Sequence, residues 1–404
     1  MILDGPTIAS LTARLSEVDK RRAARYPGGR SGRQPVHTCY VPASQVGPST
    51  PRDWGEQALA AMAEHGFDLS KDLANRVKAK LRSEPVEDLR IDFEDGYGAP
   101  TTEDDDARYA AGCLVRWHAE GIAPFSSGIR IKSFDTPALR DRAIRTLDIF
   151  LESLHDLPPG FVITFPKVTA TEQVEVFVSL LEILEQRLGW PTGSLTFEIQ
   201  VETTQSIVDS EGKLAIPAFL AAGGQRVVGL HYGTYDYTAA VGLGAAQQNL
   251  AHHAADFARH VMQVSAAGTG VRLSDGSSNV LPVGDTAKVL AAWRVHYGLV
   301  RRSLEHGFFQ GWDMHPAQLV SRYAAVFGYY RQSLDSDARR LAAYAARADS
   351  ADSDGILDEP ATAQALSASL LRSVDCGAAT AEEITQATGL HLDVLRGYHR
   401  RITS

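Results

Sequence analysis

Four segments of this 404-residue chain carry charged side chains where a buried strand would carry aliphatic ones. In FEIQVETT, Glu198, Gln200 and Glu202 alternate with Ile199 and Val201. Side chains alternate between the two faces of a strand, so the aliphatic pair faces one layer and the polar series the other. With the aliphatic pair against a helix layer, the polar series faces a barrel interior. A carboxylate there is costly unless it is paired, hydrogen-bonded or metal-bound. Glu202, nearest the C-terminal end, reads as a metal ligand; Glu198, deeper, suits a buried ion pair better. In LRIDFEDG, Asp92 and Glu94 share a face and Asp95 follows. Three carboxylates in four residues repel one another unless a cation or hydrogen-bond donors offset them. Magnesium takes only one or two carboxylates and keeps several waters. Glu94 and Asp95 therefore read as groups that hold metal-bound water or a nearby Arg, with a plain acidic loop cap as the alternative. GIRIKS puts Arg130 and Lys132 on one face. An inward Arg can grip a carboxylate bidentately and stabilise a developing enolate, or balance the charge of Asp92 and its neighbours. Asp236 follows LHYG in the next loop, where a lone Asp is commonly only a helix cap.

These residues need a frame that brings strand ends together. Strand-like runs fall at 36–43, 89–95, 128–134, 161–168, 195–203, 226–233, 270–276 and 311–316, with helical patterns at 53–66, 104–119, 136–154, 171–188, 211–223, 248–267 and 285–306. Eight strands alternating with helices predict an α/β fold, a (β/α)8 TIM barrel with its active site at the C-terminal strand ends. An open doubly wound sheet is the runner-up, but no GxGxxG phosphate turn is present. The division expected is an N-terminal helical cap over 1–35, the barrel over 36–330 and a helical C-terminal extension over 331–404. Residues 332–365 read as a polar helix and exposed linker. TAEEITQATGLHLDVLRGYHRR has the outline of a helix-turn-helix. A helical cap or subunit contact is the preferred reading, since Arg396, Arg400 and Arg401 make only a small basic end.

The formal net charge of −9 argues against a non-specific nucleic-acid binder, which needs a basic footprint. Cys39, Cys113 and Cys376 form no CxxC or Cys/His cluster, so reduced thiols and a cytoplasmic setting are expected. No apolar run reaches the ~20 residues of a membrane span, and no membrane partner is expected.

Taken together, the motifs resemble the citrate lyase beta-subunit and malyl-CoA lyase branch of the HpcH/HpaI aldolase superfamily, with malate synthase a more distant relative. The matching pieces are CYVPAS (39–44), DFEDG (92–96), IRIKS (129–133), PKV (166–168), VET (201–203), GTYD (233–236), SDG (274–276) and HPAQ (315–318), one per expected strand and in the family's order. They span about 36–325. The family's Arg strand usually continues to an Asn, where this chain has Lys132. The resemblance implies that Glu202 and Asp236 ligate Mg²⁺ (or Mn²⁺), that Arg130 is the catalytic cation, and that the protein is a homo-oligomer. It implies a metal-dependent carbon–carbon lyase, aldolase or synthase acting on a 2-oxo or 2-hydroxy acid, or on an acyl-CoA, through a metal-stabilised enolate. His231 and a metal-bound water are the candidate bases. Lys167 is set aside as a Schiff-base nucleophile because the metal already supplies the electron sink. A thioester hydrolase, a phosphoenolpyruvate-type enzyme, or a non-catalytic assembly subunit on the same barrel are the alternatives.

Overall fold

The computed structural model describes residues 2–28, 32–346 and 359–400. Eight parallel strands close in sequential order: β1 (His37–Pro42), β2 (Asp88–Asp92), β3 (Ser126–Arg130), β4 (Phe161–Phe165), β5 (Thr196–Val201), β6 (Val227–Tyr232), β7 (Arg272–Ser277) and β8 (Gln310–Asp313). The ring is shut by β1 on β8, with His37 opposite Gly311 and Cys39 opposite Asp313. All eight expected strands are present. So are the seven expected helices, including Pro137–Leu154, which Thr136 caps, and Thr286–Glu305, which Asp285 caps. An eighth barrel helix, Gln318–Ala345, follows β8. Two further helices, Lys71–Ser83 and the short Thr234–Ala240, fall outside the expected set; of these, Lys71–Ser83 packs on the barrel. Ser70 caps it, and Val77 and Leu81 bury its apolar stripe.

The alternation read from the sequence sorts the side chains. Leu89, Ile91, Ile129, Ile163, Ile199 and Val201 point outward into one hydrophobic cluster with the helix layer. The interior is unusually polar for a barrel, where branched aliphatics normally fill the layers. Arg90 Nη1 bonds Asp88, its Nε donates to Glu198 Oε1 at 3.1 Å, and Thr164 Oγ1 donates to the same oxygen at 2.5 Å. His231 Nε2 lies 2.8 Å from Glu198 Oε2. Glu198 is thus the buried ion pair expected at that depth.

The N-terminal helix differs from expectation. Gly5–Arg25 is helical, but none of its residues is buried. Ile8, Leu11, Leu15 and Val18 are each 42–56% exposed. The C-terminal extension is helical over Pro360–Asp375, Ala381–Thr388 and Leu392–Arg400. Leu366, Leu370, Ile384 and Leu395 form a second hydrophobic cluster with Leu334, Ala338 and Leu341 of the last barrel helix. Arg76 of Lys71–Ser83 adds a paired contact to Glu383. The helix-turn-helix outline therefore packs on its own chain, and Gly389 turns it at φ 70°. Part of the expected linker (347–358), and Arg401, lie outside the described residues. No described helix is long and apolar enough to cross a membrane.

Close approach of β3 to β4 makes one glycine obligatory. A Cβ at Gly128 would stand 1.7 Å from the Val162 carbonyl oxygen. Gly128→Ala should cost more than about 4 kcal/mol in denaturant unfolding, or prevent folding. Gly112→Ala, in the open middle of Glu103–Ala119 with nothing within 4 Å, should instead stabilise by about 0.4–1 kcal/mol.

Candidate active site

At the C-terminal mouth of the barrel the ends of β2, β3, β5 and β6 converge. Arg130, the last residue of β3, sits beside Asp92, the last of β2. Its Nε and Nη2 donate to the two Asp92 carboxylate oxygens at 2.7 and 2.6 Å. The guanidinium also lies over Tyr40 and Trp312, 5.0 and 5.4 Å from the ring centroids. Its bidentate fork is therefore taken up inside the protein, which is the charge-balance role considered for it. Nη1 remains turned toward Gln200 Oε1 at 3.4 Å and Glu94 Oε2 at 3.3 Å. Fixed on three sides, Arg130 offers a preoriented positive charge rather than a second bidentate clamp.

Glu202 follows β5 and is only 1% exposed. Its Oε1 accepts from the Lys167 amide at 2.9 Å, and its Oε2 from the Gln200 side-chain amide. Among the described residues no Lys, Arg or His side chain pairs with it. Burial pushes its carboxyl well above the usual range, and the Asp236 charge pushes the same way, against Lys167. Asp236 lies in the first turn of Thr234–Ala240, where its side chain is 43% exposed. Gly233, the preceding residue, is where β6 meets Glu202: a Cβ there would fall 2.5 Å from Glu202 Oε2. The chain thus clears room beside this one carboxylate.

Glu94 is buried and Asp95 largely exposed, and Lys167 joins them. Its Nζ bonds Glu94 Oε1, lies 2.8 Å from Asp95 Oδ2, and is 3.9 Å from Asp236 Oδ1. Burial raises the Glu94 carboxyl against the pull of Arg130 and Lys167. For Asp95 burial acts the same way, but the Lys167 hydrogen bond and charge outweigh it and hold the group low. Lys167 itself sits at φ +52°. A non-glycine residue in that region costs about 1–3 kcal/mol and persists where its surroundings enforce it. Here the turn aims the amide at Glu202 and the ammonium at the acidic group.

Glu202, Asp236, Glu94, Asp95 and Arg130 therefore gather at one mouth. His231 does not join them: it pairs with Glu198 inside the barrel, and its ring is edge-on to Trp312. Lys132 is turned away too, with Nζ donating to the Phe93 and Gly98 carbonyls at 2.6 and 2.7 Å and so pinning the loop that carries Glu94 and Asp95. Sequence reasoning left out Arg90 and the bridging role of Lys167. The polar–apolar alternation Asp88-Leu89-Arg90-Ile91-Asp92 carried the first; nothing local marks the last.

The mouth suits a hard divalent cation. Its donors are carboxylate oxygens, and among the described residues Glu202 is buried with no cation in ion-pair contact, a costly position for a charged carboxylate. A tighter cluster lies elsewhere, with ligand atoms of His37, Cys39 and Asp313 within 4.8 Å of one another. There Arg322 already grips Asp313 with two nitrogens, at 2.8–3.2 Å. Burial also keeps the Cys39 thiol protonated. That cluster joins the barrel to its helix layer and has its cation built in.

The sequentially closed barrel, with its acidic mouth at the C-terminal strand ends, defines a (β/α)8 protein. Among solved structures it is similar to a citrate lyase from Burkholderia xenovorans LB400, with a TM-score of 0.61 and 20% identity over 88% of this chain and 97% of that one. It is similar also to the Haloferax volcanii malate synthase in a magnesium/glyoxylate complex, with a TM-score of 0.50 and 18% identity over 73% and 76%. At these identities the shared property is the fold. No curated protein matches by sequence. The chain belongs to the family described as a domain of unknown function, DUF6986, whose profile matches residues 15–402.

The buried pair below the mouth sets a pH dependence. Burial opposes the Glu198 charge, but Arg90 and His231 hold its carboxyl far below the ordinary value. A depressed folded pKa contributes stability above the unfolded value of about 4.3 and loses it as pH falls through the folded value. Glu198→Gln should lower unfolding free energy by about 3–5 kcal/mol at pH 7. The deficit should persist at pH ~5.5 and narrow only below ~4, as read by urea titration at each pH.

Proposed function

We propose that this protein is a magnesium-dependent carbon–carbon lyase, aldolase or synthase acting on a 2-oxo or 2-hydroxy acid or its coenzyme A thioester. The observation that carries this reading is a buried Glu202 with no ion-pair partner among the described residues, beside the Asp236 charge at the C-terminal barrel mouth, with Arg130 held rigid nearby. Glu202 and Asp236 hold the metal in this reading. When bound, Mg²⁺ acts as a Lewis acid on the substrate's carbonyl or hydroxyl oxygen. The fold and the magnesium and glyoxylate bound by its malate synthase neighbour support the substrate class.

The chain's own residues supply the rest. The Asp92 fork and two aromatic faces fix Arg130, so its Nη1 charge stands ready where an enolate oxygen develops, with no reorganisation during reaction. Lys167 uses its amide to orient Glu202 and its ammonium to hold Glu94 and Asp95 apart from the metal ligands. His231 is too deep to reach a substrate at the mouth. In this proposal Glu94, whose basicity burial raises, takes the proton from the substrate hydroxyl at its carboxylate.

Calorimetric Mg²⁺ titration separates these roles. Glu202→Gln keeps the shape and removes a charge, and should weaken Mg²⁺ binding by about tenfold or more with the fold intact. Glu94→Gln should leave Mg²⁺ affinity nearly unchanged and lower kcat about 10²–10⁴-fold. The turnover assay follows two carbon fragments released from 2-hydroxy acids and their thioesters, or the reverse condensation. Wild-type Mg²⁺ affinity in Glu202→Gln would remove the metal assignment. Release of free thiol or phosphate without carbon–carbon cleavage would replace the lyase with a hydrolase or phosphotransfer enzyme.

A further inference from the structure

The opposite end of the barrel carries a second concavity, remote from the acidic mouth. A cavity of about 550 Å³ lies between the strand starts of the barrel floor and the C-terminal extension. Gln34, Arg272 and Phe309 line it from just before or at the start of β1, β7 and β8. Arg372 of Pro360–Asp375, and Arg396 of Leu392–Arg400, line it from the extension. Its volume is in the range of small-molecule sites, which are about 300–1,000 Å³.

The charge in this cavity is unusual for the protein. The chain is net acidic, yet Asp375 is the one carboxylate among the described lining residues, against several arginines. Arg372 is half-buried, its guanidinium 3.4 Å from the centroid of the Phe309 ring. Among the described residues no carboxylate pairs with it and no acceptor takes a hydrogen bond from its guanidinium. Burial lowers its pKa, and Asp375 only partly opposes this. Other enclosed arginines here are paired with carboxylates: Arg33 is forked onto Glu84, Arg226 onto Glu185 and Arg322 onto Asp313. Among the described residues Arg396 has one ion pair, the i,i+3 contact with Asp393, which is 89% exposed, so that contact is weak and easily exchanged; its charge also acts on Asp375. One guanidinium face is thus stacked on an aromatic ring while its edge is free, the arrangement that recognises a planar or tetrahedral anion. Leu371, Val374 and Leu392 give the same space an apolar wall.

We propose that this cavity binds a small organic anion, its carboxylate or phosphate headgroup held by Arg372 and Arg396 and its apolar body against Leu371, Val374 and Leu392. Such a ligand bridges the barrel floor and the extension, so it stabilises their docking. It does not depend on the metal chemistry at the other end.

Calorimetry on the full chain tests this with benzoate and phenyl phosphate as probes, and benzyl alcohol as the neutral control. Expected is one-site binding of at least one anion and none of the alcohol. Affinity should fall about tenfold or more in Arg372→Gln and in Arg396→Gln, and stay unchanged in Glu202→Gln. Melting without probe checks each variant's fold; if Arg372→Gln unfolds, the half-exposed Arg396→Gln decides. Whichever of the two anions binds assigns the headgroup. No binding of either anion, equal binding in the arginine variants, or loss only in Glu202→Gln overturns the proposal.

Discussion

Burying a carboxylate beside other carboxylates is the constraint around which this molecule is arranged. Taking an ion out of water costs several kcal/mol even after relaxation, and this barrel does it repeatedly. Along the interior each acid meets its own cation: Asp88 and Glu198 meet Arg90, and Asp92 meets Arg130. Glu94 meets Lys167. Among these described interior acids, Glu202 is the one left with amide donors alone. The asymmetry is a physical statement about the site: the neighbouring buried acids have cations in contact, whereas the Glu202 carboxyl is held by hydrogen-bond donors and pushed up by burial.

Neutralising the neighbours also fixes them. Asp92 holds Arg130 by two nitrogens, and the rings of Tyr40 and Trp312 pack on the same guanidinium. Lys167 reaches its partners only because its backbone turns into the left-handed region immediately after β4. Strain in the turn and order in the acidic cluster are two sides of one arrangement. Lys132, in turn, ties down the loop carrying two of the acids by its backbone carbonyls, so the cluster is held from β2, β3 and β4 together.

Much of this was legible in the chain, for a reason that also explains what was not. A strand's period of two assigns each residue to a face, so the inward series Glu198-Gln200-Glu202 and the pair Arg130-Lys132 could be read directly. The same period says nothing of depth along the barrel axis or of side-chain reach. His231 shares the inward face but belongs to the layer of Glu198, and Lys132 bends back to its own scaffold. Lys167 appeared as an ordinary member of a Pro-Lys-Val run, because a positive φ leaves no mark on residue type when the residue is not glycine. The helix Gly5–Arg25 has an apolar stripe that suggested a cap, but a stripe tells only that a partner surface exists, not which one. The cavity under Arg372 joins segments about a hundred or more residues apart, Gln34, Arg272 and Arg372, and no local pattern announces it.

Closure of the ring by β1 on β8 has a consequence for the order of events during synthesis. His37 pairs with Gly311, 311 − 37 = 274 positions later, so the seam of the barrel is among the most non-local contacts in the molecule. Loop closure over such a span brings no reward until both ends are present, and topologies of this kind fold slowly. On the ribosome, β1 to β7 can form and pair while one edge of β1 stays open. That edge is made of backbone groups able to join any passing strand. The nascent chain is therefore most exposed to misassociation just before β8 emerges. The helix Gln318–Ala345 follows within a few residues of it, and its Arg322 grips Asp313 on β8. The last strand and the clasp that secures it arrive almost together.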